Sequence, residues 1–180
     1  DAGHLWRASP LAVEQGPDAP PTRTSESAVL AESRDLPSST SAVVSSIRER
    51  AAGEFGLPES HVEPLQLVRY RAGEFYAAHV DWGRKEDSTL WLAGQRVATL
   101  LVYLTEPRGD ATTAAGGETR FTQLDVNVPP KPGVAILWPN VSQGGIPLEQ
   151  TEHEALPHRS DGIKVALNIW LRERPLPRHW

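Results

Sequence analysis

Apolar side chains recur at two periods along this chain, and the change of period divides it. From Ser38 to Phe55, Val43, Val44, Ile47 and Ala51 fall at helical spacing, with Ser38, Ser39 or Thr40 available as N-cap. Gly56 and Pro58 end that pattern. From Pro64 onward the period shortens towards two. Leu65–Tyr70 and Phe75–Asp81 read as strands joined through the Ala72-Gly73 turn, and Val97–Thr105 is an almost continuous apolar run suited to a buried strand. Shorter strands are expected around residues 118–121, 126–128, 133–138, 151–155 and 164–172. Residues 1–9 look like the end of a helix, and 10–21, with four prolines, like a surface loop. Arg84–Gly94 reads as a charged loop and Gly109–Gly117 as a loop of small residues; both are candidate lids. Many short strands separated by turn signals, without an internal repeat, predict a mainly β domain with flanking helices, a sandwich or barrel.

Composition narrows the picture by exclusion. A length of 180 residues suits one domain, here residues 1–180, with 1–63 as a helical and loop support and 64–174 as the β core. Sixteen prolines and fourteen glycines agree with many turns. A net charge of −5 and the lack of any Lys/Arg cluster speak against a nucleic-acid partner, and no apolar run reaches membrane-spanning length. With no cysteine there is no disulfide, thiolate zinc site or cysteine nucleophile, and the compartment stays open: secretory pathway or cytoplasm according to the kind of organism. A first residue other than Met suggests a processed or shortened chain. Asn140-Val141-Ser142 has the form of a glycosylation sequon, and Arg108-Gly109-Asp110 reads as a polar turn.

The candidate chemistry lies in the strands. In an extended strand residues i and i+2 share a side, so His79 and Asp81 can reach one ion. Two imidazoles and one carboxylate hold Fe(II) on one face and leave the other open, so a second histidine is required. His153 and His158 both precede the last strand and compete for that place; His4, His61 and His179 sit in polar or terminal contexts. In the last strand Val165, Leu167, Ile169 and Leu171 form an aliphatic face, while Lys164, Ala166, Asn168 and Trp170 share the other. Periodicity by itself favours a solvated Lys164; a buried cation on a core strand would need an anionic ligand.

The ordered motifs Arg23-Thr24-Ser25, Leu65 to Asp81, Gly94 to Leu104, Gly116-Gly-Glu-Thr-Arg-Phe121, Pro130-Lys-Pro-Gly133, His153-Glu-Ala-Leu-Pro157 and Lys164 to Trp170 cover nearly the whole chain. Together they resemble the catalytic domain of prolyl 4-hydroxylases, Fe(II)/2-oxoglutarate dioxygenases. The resemblance implies a double-stranded β-helix (jelly roll) and an iron held by His79, Asp81 and His153, because the family's distal histidine is followed four residues later by proline. It implies 2-oxoglutarate and O2 as co-substrates, ascorbate as reductant, and Lys164, Tyr70 and Thr119 around the 2-oxoglutarate, with Trp170 on the pocket wall. Lys164 stands one position further from the histidine than the family spacing, which a turn at Ser160-Asp161-Gly162 could absorb. Tyr76 matches a family aromatic that faces substrate, although strict alternation puts it on the opposite strand face from His79. The implied reaction is 4-hydroxylation of peptidyl proline in a proline-rich or collagen-like partner, with release of succinate and CO2. Two alternatives stay open: the same cofactors acting on a non-proline or small-molecule substrate, and a non-catalytic jelly-roll binding module.

Overall fold

A computed structural model describes residues 6–9, 20–30, 37–83, 89–107 and 116–177. Among these residues ten strands form two sheets. The larger has the order β1 (Arg7–Ala8), β2 (Glu26–Leu30), β3 (Leu65–Tyr70), β10 (Lys164–Arg172), β5 (Arg96–Tyr103), β8 (Ala135–Pro139). The smaller has the order β4 (Tyr76–His79), β9 (His153–Ala155), β6 (Thr119–Phe121), β7 (Val126–Val128). Every strand pair is antiparallel. The arrangement is that of the double-stranded β-helix.

Strand β10 organises the molecule because both of its faces are covered. Leu167, Ile169 and Leu171 pack with Leu65, Val62 and Ala98 beneath α1 (Ser38–Glu54), which contributes Val44, Ala51 and Ala52. Burial of each such aliphatic side chain contributes about 1.5–3 kcal/mol. From the other face Ala166 joins Val68, Tyr70, Leu101, Tyr103 and Trp138 of the large sheet to Phe121 of the small one. The candidate site occupies this inter-sheet space.

Several expectations change. Arg7–Ala8 is an edge strand on β2 rather than the end of a helix, and residues 1–5 and 10–19 lie outside the described residues. The cap of α1 is Pro37, with no side-chain cap bond, so Ser38, Ser39 and Thr40 are already inside the helix. The fixed φ of proline suits the entry to a helix, and the carbonyl of Pro37 accepts from the amides of Thr40 and Ser41. Within Arg84–Gly94, residues 89–93 form the short helix α2 (Thr89–Ala93), tied down by Arg172, whose guanidinium donates to the Gly94 carbonyl at 2.9 Å. Residues 84–88 and 108–115 lie outside the described residues, and with them Arg108-Gly109-Asp110 and most of both lid candidates.

Candidate metal centre

The strand carrying His79 ends at that residue, so Asp81 stands just beyond it and not within it. A register shift between Tyr76 and His79 breaks the alternation assumed from sequence. His79 nevertheless lies directly across from His153 in the β4–β9 pair, and Asp81 folds back towards both. One ligand atom from each of His79, Asp81 and His153 lies within 4.8 Å of the others. Nε2 of His79 is 3.8 Å from Oδ1 of Asp81, and Nε2 of His153 is 3.8 Å from Oδ2.

Each imidazole is oriented by its own strand. Nδ1–H of His79 donates to the Ala77 carbonyl and Nδ1–H of His153 to the Thr151 carbonyl, each at 2.9 Å. Those bonds fix the tautomer and turn both Nε2 lone pairs towards Asp81. Burial, with His153 beside it, lowers the His79 pKa to about 3, so the ring is neutral at neutral pH. Burial would raise the Asp81 carboxyl, but His153, His79, Arg96 and the Thr99 hydroxyl outweigh it and hold it at about 2. A neutral His79 and an ionised Asp81 are protonation states that suit a divalent ion. The residues therefore fit a 2-His-1-carboxylate iron site.

The competing histidine is placed elsewhere. His158 is fully buried, its Nε2–H donating to the Tyr70 carbonyl at 3.0 Å while Nδ1 accepts from the Ser160 hydroxyl at 3.2 Å. Its task is to brace the strand that carries Tyr70. Asn140 is likewise buried to 0 % exposure, so the sequon is closed in the folded chain.

Lys164 overturns the solvated reading. It is 2 % exposed, and among the described residues no carboxylate lies within the 4.0 Å of an ion pair. Its Nζ stands 5.0 Å from the centroid of the Tyr70 ring and 5.7 Å from that of Tyr103. Burial lowers its pKa to about 8, against a small opposing effect of Glu118. A buried cation beside ring faces, with no ion-pair partner among the described residues, suits an anionic ligand. Thr119, 3 % exposed, borders the same space and accepts a 2.7 Å bond from the Tyr103 hydroxyl. Burial raises that phenol to about 12, so it stays protonated as a donor. The backbone closes tightly around the lysine stem. Gly117, at φ +84°, would place a Cβ 3.3 Å from Pro107 Cγ and 3.6 Å from Lys164 Cδ, and Gly116, at φ +74°, one 2.5 Å from the Pro157 carbonyl.

Trp170 bears on the candidate ligands themselves: its indole N–H donates to Oδ2 of Asp81 at 3.2 Å. The guanidinium of Arg96 sits 3.8 Å over that indole and is clamped by Glu63 at 2.7 and 2.9 Å, and Glu63 is held in turn by Arg172. Tyr76 stacks on His79 with ring centroids 3.6 Å apart, the bulge having moved it to the ligand's side, and Arg23 covers it at 4.4 Å. Sequence reasoning missed Thr99, Asn140, Tyr103 and the Arg96–Glu63 pair. A hydroxyl in the first half of the apolar run Val97–Thr105 was the available signal for Thr99.

Comparison with known proteins agrees with this geometry. Residues 65–172 match the 2OG-Fe(II) oxygenase superfamily. Over 137 residues the chain is 36 % identical to prolyl 4-hydroxylase subunit alpha-1 of Gallus gallus, covering 74 % of this chain and 25 % of that protein. The chain thus spans about a quarter of the length of the curated relatives it matches. Among solved structures it is similar to the viral collagen prolyl hydroxylase of Paramecium Bursaria Chlorella virus-1 in a 2OG complex, with TM-score 0.66 and 28 % identity over 84 % of this chain and 80 % of that one. A prolyl hydroxylase of Trichoplax adhaerens, at 18 % identity and TM-score 0.59 over 94 % of this chain and 71 % of that one, shares the fold.

Proposed function

This chain belongs to the 2OG-Fe(II) oxygenase superfamily, and from that premise we propose that it is an Fe(II)- and 2-oxoglutarate-dependent dioxygenase domain acting on peptidyl proline. The observation that carries the reading is the convergence of His79, Asp81 and His153 in one inter-sheet space. His79, Asp81 and His153 hold the iron. Lys164 binds the distal carboxylate of 2-oxoglutarate, with Tyr70 and Thr119 beside it, and that carboxylate gives the buried ammonium the partner it lacks. The bound iron supplies the activation of O2 that couples decarboxylation of 2-oxoglutarate to hydroxylation of a C–H bond, yielding succinate and CO2. The protein orients the ligands and keeps water away from them.

Tyr76, flanked by His79 and Arg23, is the candidate wall for the substrate residue. Proline as that residue, 4-hydroxylation as the outcome and a proline-rich or collagen-like partner rest on the 36 % identity to a prolyl 4-hydroxylase subunit. Ascorbate as reductant belongs to the same reading. So does a single domain over residues 1–180, supported by the unbroken six-stranded sheet that joins Arg7–Ala8 to Ala135–Pro139.

The test is direct. Fe(II)-loaded protein is incubated with 2-oxoglutarate and a panel of Pro-rich and Pro-Gly peptides, and mass spectrometry follows gain of one oxygen on proline. Pro-rich peptides are expected to be favoured because an extended polyproline II chain has little order left to lose on binding, and affinity is expected to rise with peptide length as more residues contact the groove. Oxidation of free proline or a small molecule with every peptide untouched would select the small-molecule reading. Absence of 2-oxoglutarate turnover under all conditions would select a binding module.

A further inference from the structure

Two side chains outside the ligand set converge on Asp81. Thr99 of β5 is 1 % exposed, and its hydroxyl donates to Oδ2 of Asp81 at 2.7 Å. The Thr99 oxygen in turn accepts from Nδ2 of the fully buried Asn140 at 2.8 Å. Chemistry fixes the direction of this chain of bonds. An ionised carboxylate only accepts and is the strongest acceptor present, so the single hydroxyl proton of Thr99 goes to it. The Thr99 oxygen then needs a donor, which the amide of Asn140 supplies. Trp170 gives Oδ2 a second hydrogen bond at 3.2 Å. Oδ2 faces His153 Nε2 at 3.8 Å, but it already accepts two hydrogen bonds, from Thr99 and Trp170. Oδ1 receives no hydrogen bond among the described residues and faces Nε2 of His79.

We propose that Thr99 and Asn140 are positioning residues: with Trp170 they reserve Oδ2 of Asp81 for the protein and leave Oδ1 as the one carboxylate oxygen open to the metal ion. The inference rests on the functional reading above. A carboxylate free to use both oxygens would occupy a second position on the ion, one that a chelating 2-oxo acid needs. Asn140 matters because it decides where the proton of Thr99 points. Its own place is set by backbone bonds, its N–H to the Val97 carbonyl at 2.9 Å and its carbonyl from the Leu148 amide at 3.0 Å.

Three substitutions separate positioning from packing. Thr99→Val removes the hydroxyl at nearly constant shape, Thr99→Ser keeps it, and Asn140→Asp replaces the donor by an acceptor that draws the Thr99 proton away from Asp81. Co(II), a redox-inert probe, and then 2-oxoglutarate on the Co(II) protein are titrated calorimetrically, with thermal unfolding recorded alongside. Thr99→Val and Asn140→Asp should weaken 2-oxoglutarate about tenfold or more and Co(II) by a smaller factor, whereas Thr99→Ser should bind both like the unaltered protein. Unaltered 2-oxoglutarate affinity in Asn140→Asp, or a Thr99→Ser as impaired as Thr99→Val, would overturn the inference while leaving the iron site standing. Should Thr99→Val fail to fold, Thr99→Ser and Asn140→Asp decide alone. No Co(II) binding by the unaltered protein would overturn the functional reading and this inference with it.

Discussion

At the scale of single residues, Lys164 carries the sharpest consequences. Its pKa of about 8 lies below the ordinary 10.5, so the folded state loses the proton before the unfolded chain does. The penalty for burying the charge is fully present below pH 8 and is relieved as pH rises from about 8 towards 10.5, so this group raises the stability of the ligand-free protein across that window. Affinity for 2-oxoglutarate should run the other way, falling above pH 8, and binding near that pH should take up a proton; calorimetry in buffers of different ionisation heat measures it. Lys164→Ala should weaken 2-oxoglutarate by on the order of a hundredfold or more while leaving metal binding nearly intact, since removing one partner of a buried charge pair costs about 3–5 kcal/mol. The two late histidines should separate cleanly in a Co(II) titration. His153→Ala should abolish tight binding, whereas His158→Ala should retain it and lose about 1–3 kcal/mol of stability through the unpaired Tyr70 carbonyl. Residue chemistry alone could not tell these histidines apart, because both precede the same strand; the His-x-x-x-Pro motif could. Nor could it show that Lys164 is buried, because alternation assigns a face and does not say what covers it.

At the scale of elements, the pattern was most legible where one period ran long. The helix spans Ser38–Glu54 against an expected end at Phe55, and Leu65–Tyr70 and Lys164–Arg172 keep their expected bounds. It was least legible at β4, where a bulge shortened the strand, placed Asp81 beyond it and turned Tyr76 onto His79. A bulge adds one residue to one strand and leaves no mark in apolar periodicity. The two-residue strand at Arg7–Ala8 is equally silent, being held by pairing with β2 and by Trp6 beneath the Arg69 guanidinium at 4.3 Å. The core beneath α1 should respond as a packed interior does. Leu171→Ala, at a position with 0 % exposure, should cost about 2–5 kcal/mol, measured by denaturant titration, and change metal affinity little because its side chain faces away from the site.

At the scale of the whole molecule, composition excluded disulfides and pointed to one β-rich domain, but only the ordered motifs identified the jelly roll, since many sandwiches share its composition. The ion's effect on stability belongs to this scale. A ligand that binds only the folded state at a hundred times its Kd stabilises it by about 2.7 kcal/mol, so saturating Co(II) should raise the thermal midpoint, and His153→Ala should erase the rise. The direct opposition of His79 and His153 across β4 and β9 has a further consequence, in time rather than in affinity. The far side of β4 is held by the Arg23–Tyr76 bridge and by the Ala77 amide donating to the Thr22 carbonyl at 2.7 Å, but its seam with β9 is irregular, so the amides facing β9 should be among the first in the small sheet to exchange with solvent deuterium. A metal gripping one residue of each strand works as a clasp across that weak seam. Adding Co(II) should slow exchange there by a larger factor than in β10, which is already hydrogen-bonded on both sides, and the sheet that forms the site would then owe its slowest motions to the ion it was built to hold.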